Sequence, residues 1–162
     1  MNYLLIGQVL LLLITANGAP ILARRLLRHR FYKPLDGGLN LADGQPLLGP
    51  SKTWRGLIAA LMLTAVMAWM LGLSLAFGAL FGLLTMAGDL VTSFIKRRVG
   101  MQASSMAPGF DYLLESCLPV AVLAKPLGLA VLDIVVIVVL FMLLALILSR
   151  VLFWLGVRKR PY

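Results

Sequence analysis

The sequence predicts an all-α integral membrane protein of about five transmembrane helices, with its N-terminus outside and its C-terminus cytoplasmic. Three observations carry this expectation. Of 162 residues, 61% are apolar and 13% charged, against about 45–50% and about 25% in soluble domains. The apolar residues gather in five runs, and a span needs about 20 of them. With the N-terminus outside, every Lys and Arg except Lys125 and Arg150 falls on one side of those runs, as the positive-inside rule requires. The length leaves room for one membrane domain, residues 1–162, and for no soluble partner domain.

The first run, residues 3–22, has its basic cluster after it, the reverse of a secretory signal peptide, and is a retained span. Arg24, Arg25, Arg28, Arg30 and Lys33 follow it as topology signals and head-group contacts. His29 among them has no second ligand at metal spacing and is a surface residue. The stretch from Pro34 to Lys52 is rich in Gly, Pro and Asp, has no helical period, and forms a loop. Spans over residues 57–73 and 75–95 are joined so tightly at Gly72 and Leu73 that they pair antiparallel. A fourth span, 110–124, is short and stops at Lys125 and Pro126. The fifth, 127–157, is strongly apolar and closes at Arg158, Lys159 and Arg160. The single cysteine, Cys117, excludes an intrachain disulfide and a CxxC metal site. The net charge of +9 points here to cytoplasmic loops and acidic phosphate groups, and not to nucleic acid. Oligomeric state is not encoded in any feature of the chain.

Six acids are present, and three lie at the cytoplasmic ends of the third and fourth spans. A charge at a helix centre in the bilayer costs about 2.5–3.5 kcal/mol on insertion scales, and less toward the interface, so such groups need a partner or a function. Asp89 precedes Lys96 and Arg97 by about two turns, an ion-pair spacing as well as a site spacing. Asp111 and Glu115 are four apart and share a helix face, where two like charges repel unless a cation lies between them. A hard divalent ion, most simply Mg²⁺, relieves that repulsion and also bridges phosphate oxygens. Asp89, Asp111 and Glu115 are therefore the candidate metal ligands. Asp133, on the other side of the membrane, is a pairing or interfacial residue.

The segment from Gly49 to Gly56 supplies the complementary half. Ser51, Lys52, Thr53 and Arg55 at a helix start offer hydroxyls and cations to a phosphate, although the Walker A pattern is absent. The same residues also suit a basic loop that anchors the membrane face and caps the second span. Gly78, Ala79, Gly82, Ala87 and Gly88 allow close helix approach, either around a cavity or in plain packing.

Three strings carry a resemblance: Ala16 to Pro20, Pro34 to Gly38 leading to Ser51 to Gly56, and Gly88 to Gly100. In order and over residues 16–120, they resemble the CDP-archaeol synthase family, integral membrane relatives of the phosphatidate cytidylyltransferases. Asp111 and Glu115 stand where the archaeal pattern has two aspartates three apart, with Leu114 at the second and Tyr112 in place of a glutamine. Asp followed four residues on by Glu-Ser is similar to a bacterial branch of the family. The resemblance implies a multi-pass enzyme of the inner (cytoplasmic) membrane with its site facing the cytoplasm. Its substrates are CTP and a lipid monophosphate, either an archaeal-type ether lipid phosphate or phosphatidic acid, and its products a CDP-lipid and pyrophosphate. It further implies that Lys52, Arg55, Asp89, Lys96, Arg97 and Asp111 are catalytic, and that Asn17, Asp36, Ser51, Thr53, Ser93 and Arg98 bind substrate. On glycine permissiveness alone, Asp36 with Gly37 and Gly38 is expected to close over the nucleotide as a lid. The alternatives are a non-catalytic lipid- or nucleotide-binding membrane protein of the same fold and a small cation transporter. An odd span count, no internal repeat and acids near one face speak against the transporter.

Overall fold

The computed structural model describes residues 2–102 and 109–156. Among these residues the chain forms six helices: α1 (Tyr3–Leu27), α2 (Trp54–Met70), α3 (Leu75–Arg98), α4 (Phe110–Val122), α5 (Ala124–Leu127) and α6 (Val131–Trp154). By length and composition α1, α3 and α6 can cross a membrane, while α2 is a shorter apolar helix. With 13 residues, α4 is about 20 Å long at 1.5 Å per residue, short of an apolar core of about 30 Å.

The helix ends differ from the spans expected above, and local chemistry explains each difference. Helix α1 continues beyond residue 22 to Leu27, carrying Arg24 and Arg25 in its last turn, where cations meet the negative end of the helix dipole. Helix α2 begins at Trp54 and not at 57, because the Thr53 hydroxyl caps it by accepting from the Gly56 N–H at 3.4 Å. Ser74 caps α3 in the same way, accepting from Phe77 N–H at 3.1 Å, and α3 runs past residue 95 to Arg98. The apolar run expected at 127–157 starts instead at Val131. The short α5 closes at Gly128, whose left-handed conformation (φ 65°) a glycine adopts without steric cost. The basic cluster at Arg158, Lys159 and Arg160, and most of the loop between α3 and α4, lie outside the described residues.

The helices close into a ring. Helix α2 lies antiparallel between α1 and α3, α4 packs on α3, and α6 bridges α4 back to α1. Val9, Leu12 and Leu13 of α1, Phe81 of α3, and Ile137 and Phe141 of α6 form the shared core. Tyr112 and Phe141 meet edge to face at 6.2 Å, which joins α4 to α6. At the tight α2–α3 turn the backbones nearly touch: a Cβ on Gly78 would sit 2.5 Å from Ala68 Cβ and 2.6 Å from the Thr64 carbonyl oxygen. The expected small-residue contact between these helices is thus plain packing at this end, without a cavity. On α6, Val131, Leu132, Val135 and Val139 are exposed, as suits a surface turned to lipid.

Candidate functional site

The charge gathers at one end of the bundle, where α1 and α3 finish and α2 and α4 begin. The loop before α2 is built, not loose. Leu35 N–H donates to Lys52 O at 2.8 Å and Trp54 N–H to Lys33 O at 3.1 Å, bridging the two arms of the loop. Asp36 sits inside it, and its carboxylate accepts from the N–H groups of Gly38 (3.0 Å), Leu48 (3.0 Å) and Gly49 (2.9 Å). Burial raises the Asp36 carboxyl, but those donors outweigh it and hold the group below its ordinary value of 3.8. Arg55 fixes the other side: its guanidinium donates to the carbonyls of Arg28 (2.6 Å) and Arg30 (2.9 Å) and stacks over the Tyr32 ring. Tyr32 Oη in turn donates to Pro50 O at 2.8 Å.

This scaffold aims Lys52 at α3. Its ammonium donates to both carboxylate oxygens of Asp89, at 2.6 and 2.5 Å. A second pair forms between α3 and α4, Lys96 to Asp111 at 2.7 Å. Glu115 is buried against Asp89 and within the field of Lys52 and Asp111. The contact depends on Gly88. A Cβ there would overlap the Leu114 carbonyl and come within 3.0 Å of Glu115 Cα, so only glycine lets α4 approach α3 this closely.

The expected site residues separate into two groups. Lys52, Asp89, Lys96, Asp111 and Glu115 come together, and Ser93 is buried one turn from Asp89 on the same helix. Ser51, Thr53 and Arg55 stand beside them along a cleft, with Thr53 also serving as the cap of α2. The others are engaged elsewhere. Asn17 donates to Leu13 O within α1 and does not line the cleft. Asp36 is turned into its own loop instead of toward a ligand. Arg97 is buried and donates to Met101 O. Arg98 pairs with Asp43 at 2.9 Å and reaches Pro46 O at 2.7 Å, tying the loop to the end of α3.

Among the described residues, no three His, Cys, Asp or Glu side chains close on one point as a ligand group. Two carboxyl groups do meet, Asp89 and Glu115, and such a pair needs a proton or a cation between its members. With Asp111 one turn from Glu115, the donor set is all oxygen, which fits a hard divalent ion.

The cleft between α1, α2 and α3 has a volume of about 220 Å³. Besides Lys52 and Asp89, it exposes Arg24 and Tyr32, which the sequence placed among topology signals or did not single out. The available signal was the spacing of Pro20 and Arg24, four apart on one face of α1.

Comparison with known proteins adds an independent line. A family model described as CarS-like, CDP-archaeol synthase, matches residues 8–77 and 62–162. The CDP-archaeol synthase of Hyperthermus butylicus is 38% identical over 106 residues, 62% of this chain and 60% of the relative. That of Sulfurisphaera tokodaii is 31% identical over 137 residues, 80% and 81% of the two chains. The chain spans 60% of the length of the first of these relatives and 50% of the Methanopyrus kandleri one. A solved structure, described as an intramembrane enzyme for archaeal membrane lipids biosynthesis, superposes with a TM-score of 0.76 at 28% identity, covering 88% of this chain and 90% of its own.

Proposed function

The chain belongs to the CDP-archaeol synthase family, and on that premise we propose that it is a CTP-dependent cytidylyltransferase acting on a membrane lipid monophosphate. A phosphate oxygen of the lipid attacks the α-phosphorus of CTP. The new O–P bond forms as the bond to the β-phosphate oxygen breaks, and pyrophosphate leaves with that electron pair. The observation that carries this is the meeting of the Lys52–Asp89 and Lys96–Asp111 pairs with Glu115, beside a cleft lined by both charged and apolar side chains.

Both reactants are anions, so the barrier is chiefly electrostatic and positional. Lys52 and Lys96 offer cations to incoming phosphates, each held ready by a carboxylate. Arg55 and Arg97 work by positioning: one fixes the loop that carries Lys52, the other the end of α3 that carries Lys96. Asp36 locks the same loop from within. Ser51 is exposed on the cleft and Ser93 lies beside Asp89, and both are hydroxyl donors for phosphate oxygens. Asp89, Asp111 and Glu115 would hold Mg²⁺, which when bound supplies neutralisation of the nucleotide phosphates and polarisation of the attacked phosphorus. No side-chain base is required, because the lipid phosphate is already an anionic nucleophile.

The membrane arrangement belongs to the same proposal. The chain crosses five times, with α4 and α5 together as the fourth, broken crossing. The charged end faces the cytoplasm at the inner membrane, so that a soluble nucleotide meets a lipid whose tails stay in the bilayer. Arg24, Arg25, Lys52, Arg55 and the Lys96–Arg98 run all lie at that end, which supports the orientation.

The test is transfer of label from α-labelled CTP into the lipid fraction by the purified chain, across ether-linked and ester-linked lipid monophosphates. Label is expected in the lipid only with a phosphate-bearing acceptor present. Its absence with every acceptor, while CTP still binds, would leave a nucleotide-binding protein of the same fold.

A further inference from the structure

We infer that Arg24 anchors the phosphate of the lipid substrate, in the cleft between α1, α2 and α3. This rests on the lipid-phosphate activity proposed above and assigns it a residue. On each of the three helices a polar lining residue lies nearer the charged end than an apolar one, with Leu90 of α3 and Leu35 and Pro50 of the loop beside the polar groups. Arg24 lies one turn nearer the charged end than Pro20 on α1, Thr53 one turn nearer than Leu57 on α2, and Asp89 nearly a turn nearer than Met86 on α3. The lining residues nearest the bundle centre, Pro20, Leu57 and Met86, are apolar, and the three cations and Asp89 all lie outward of them. A bilayer lipid presents the same order, with phosphate outermost and chains beneath. A nucleotide does not: its triphosphate, ribose and base offer no apolar chain to that floor.

The charges narrow the choice further. Three cations line this cleft, Arg24, Lys52 and Arg55. Lys52 is held by Asp89, and Arg55 by the carbonyls of Arg28 and Arg30. The Arg24 guanidinium makes no hydrogen bond or ion pair with any described residue. Its planar guanidinium is the group suited to grip two phosphate oxygens at once. Arg25, next in sequence, is also exposed but does not line the cleft, and it provides the control.

The experiment uses the full chain in detergent, with rates measured against dioleoyl phosphatidic acid and an unsaturated ether-linked glyceryl phosphate at saturating CTP, and against CTP at saturating lipid. Arg24→Gln is expected to raise KM for either lipid about tenfold or more while KM for CTP stays within about twofold, a loss confined to one substrate. Arg24→Lys should recover part of it, and Arg25→Gln should match the parent. A rise in KM for CTP instead, or equal behaviour of Arg24→Gln and Arg25→Gln, would overturn the assignment.

A second arm needs no turnover. Native mass spectrometry without CTP should show the parent and Arg25→Gln retaining phosphatidic acid over diacylglycerol, and Arg24→Gln losing that preference. Excess glycerol phosphate or inorganic phosphate should fail to displace the lipid. Equal retention by parent and Arg24→Gln, or displacement by the soluble phosphates, would refute the anchor. If the preference holds but no CDP-lipid forms, the anchor stands and the transferase reading falls.

Discussion

The two ends of this bundle are built on different principles. At the α2–α3 turn, helices meet through small residues and the backbones close to contact at Gly78, with Ser74 as a cap. The buried acid nearest that end of the chain path, Asp133, accepts from the Ala130 N–H at 3.1 Å at the start of α6. At the other end α3 and α4 also close to contact at Gly88, but there the loop and helices are joined by the Lys52–Asp89 and Lys96–Asp111 pairs. Replacing buried ion pairs by apolar residues of similar size is often neutral or stabilising. Under the proposed function, charges kept at such a place serve the reaction.

The largest expected effect separates acids at the two ends. Asp111→Asn and Glu115→Gln should each lower turnover about 10²- to 10³-fold, the scale of removing one electrostatic element from a phosphoryl-transfer site. Asp133→Asn should leave turnover unchanged and cost at most about 1 kcal/mol, as for a helix-start hydrogen bond. Rates and thermal midpoints measured side by side decide it, and equal loss of turnover in all three would erase the distinction.

Next come the two glycines. Gly88→Ala and Gly78→Ala both force backbones apart and should each cost about 1–3 kcal/mol of stability. Only Gly88→Ala should also depress turnover in the folded fraction, because it moves Glu115 away from Asp89. Loss of turnover in both, in proportion to unfolding alone, would show that Gly88 has no particular bearing on the site.

A smaller effect concerns pH. The Asp36 carboxyl titrates lower in the folded loop than in the unfolded chain, so its contribution is complete above the ordinary value of 3.8 and is lost as pH falls through the lowered folded value. Thermal midpoints in detergent should therefore keep this contribution at neutral pH and lose it in strong acid, and Asp36→Asn should flatten that part of the profile. A parent and variant with the same acid profile would remove Asp36 from the loop's stability. Smallest is Asp43→Asn, which opens a partly exposed pair with Arg98 and should change stability by no more than about 1 kcal/mol.

Much of this was legible in the sequence, for identifiable reasons. Apolar runs marked the helices, because burial and lipid exposure both select apolar side chains over a helix length. Asp89, Lys96 and Asp111 were placed at one end by span order alone. The partner of Lys52 was harder to see. It reaches Asp89 across 37 positions, and only the bridged loop fixes its direction. Asp36 was read with Gly37 and Gly38 as a closing segment because glycines permit motion, whereas the three N–H donors that immobilise it come from Gly38, Leu48 and Gly49. The break between α5 and α6 was hidden by hydropathy, which does not register the left-handed turn at Gly128. Arg24 was hidden among neighbours of the same charge, and only its helical phase separates it from Arg25.

The most direct measurement is pyrophosphate release by the purified chain given CTP, Mg²⁺ and a lipid monophosphate, with Asp89→Asn beside it. Release should require both the lipid and CTP and disappear in Asp89→Asn while the variant remains folded. Release that persists undiminished in Asp89→Asn would contradict the claim that the charged end of the bundle is the reacting site.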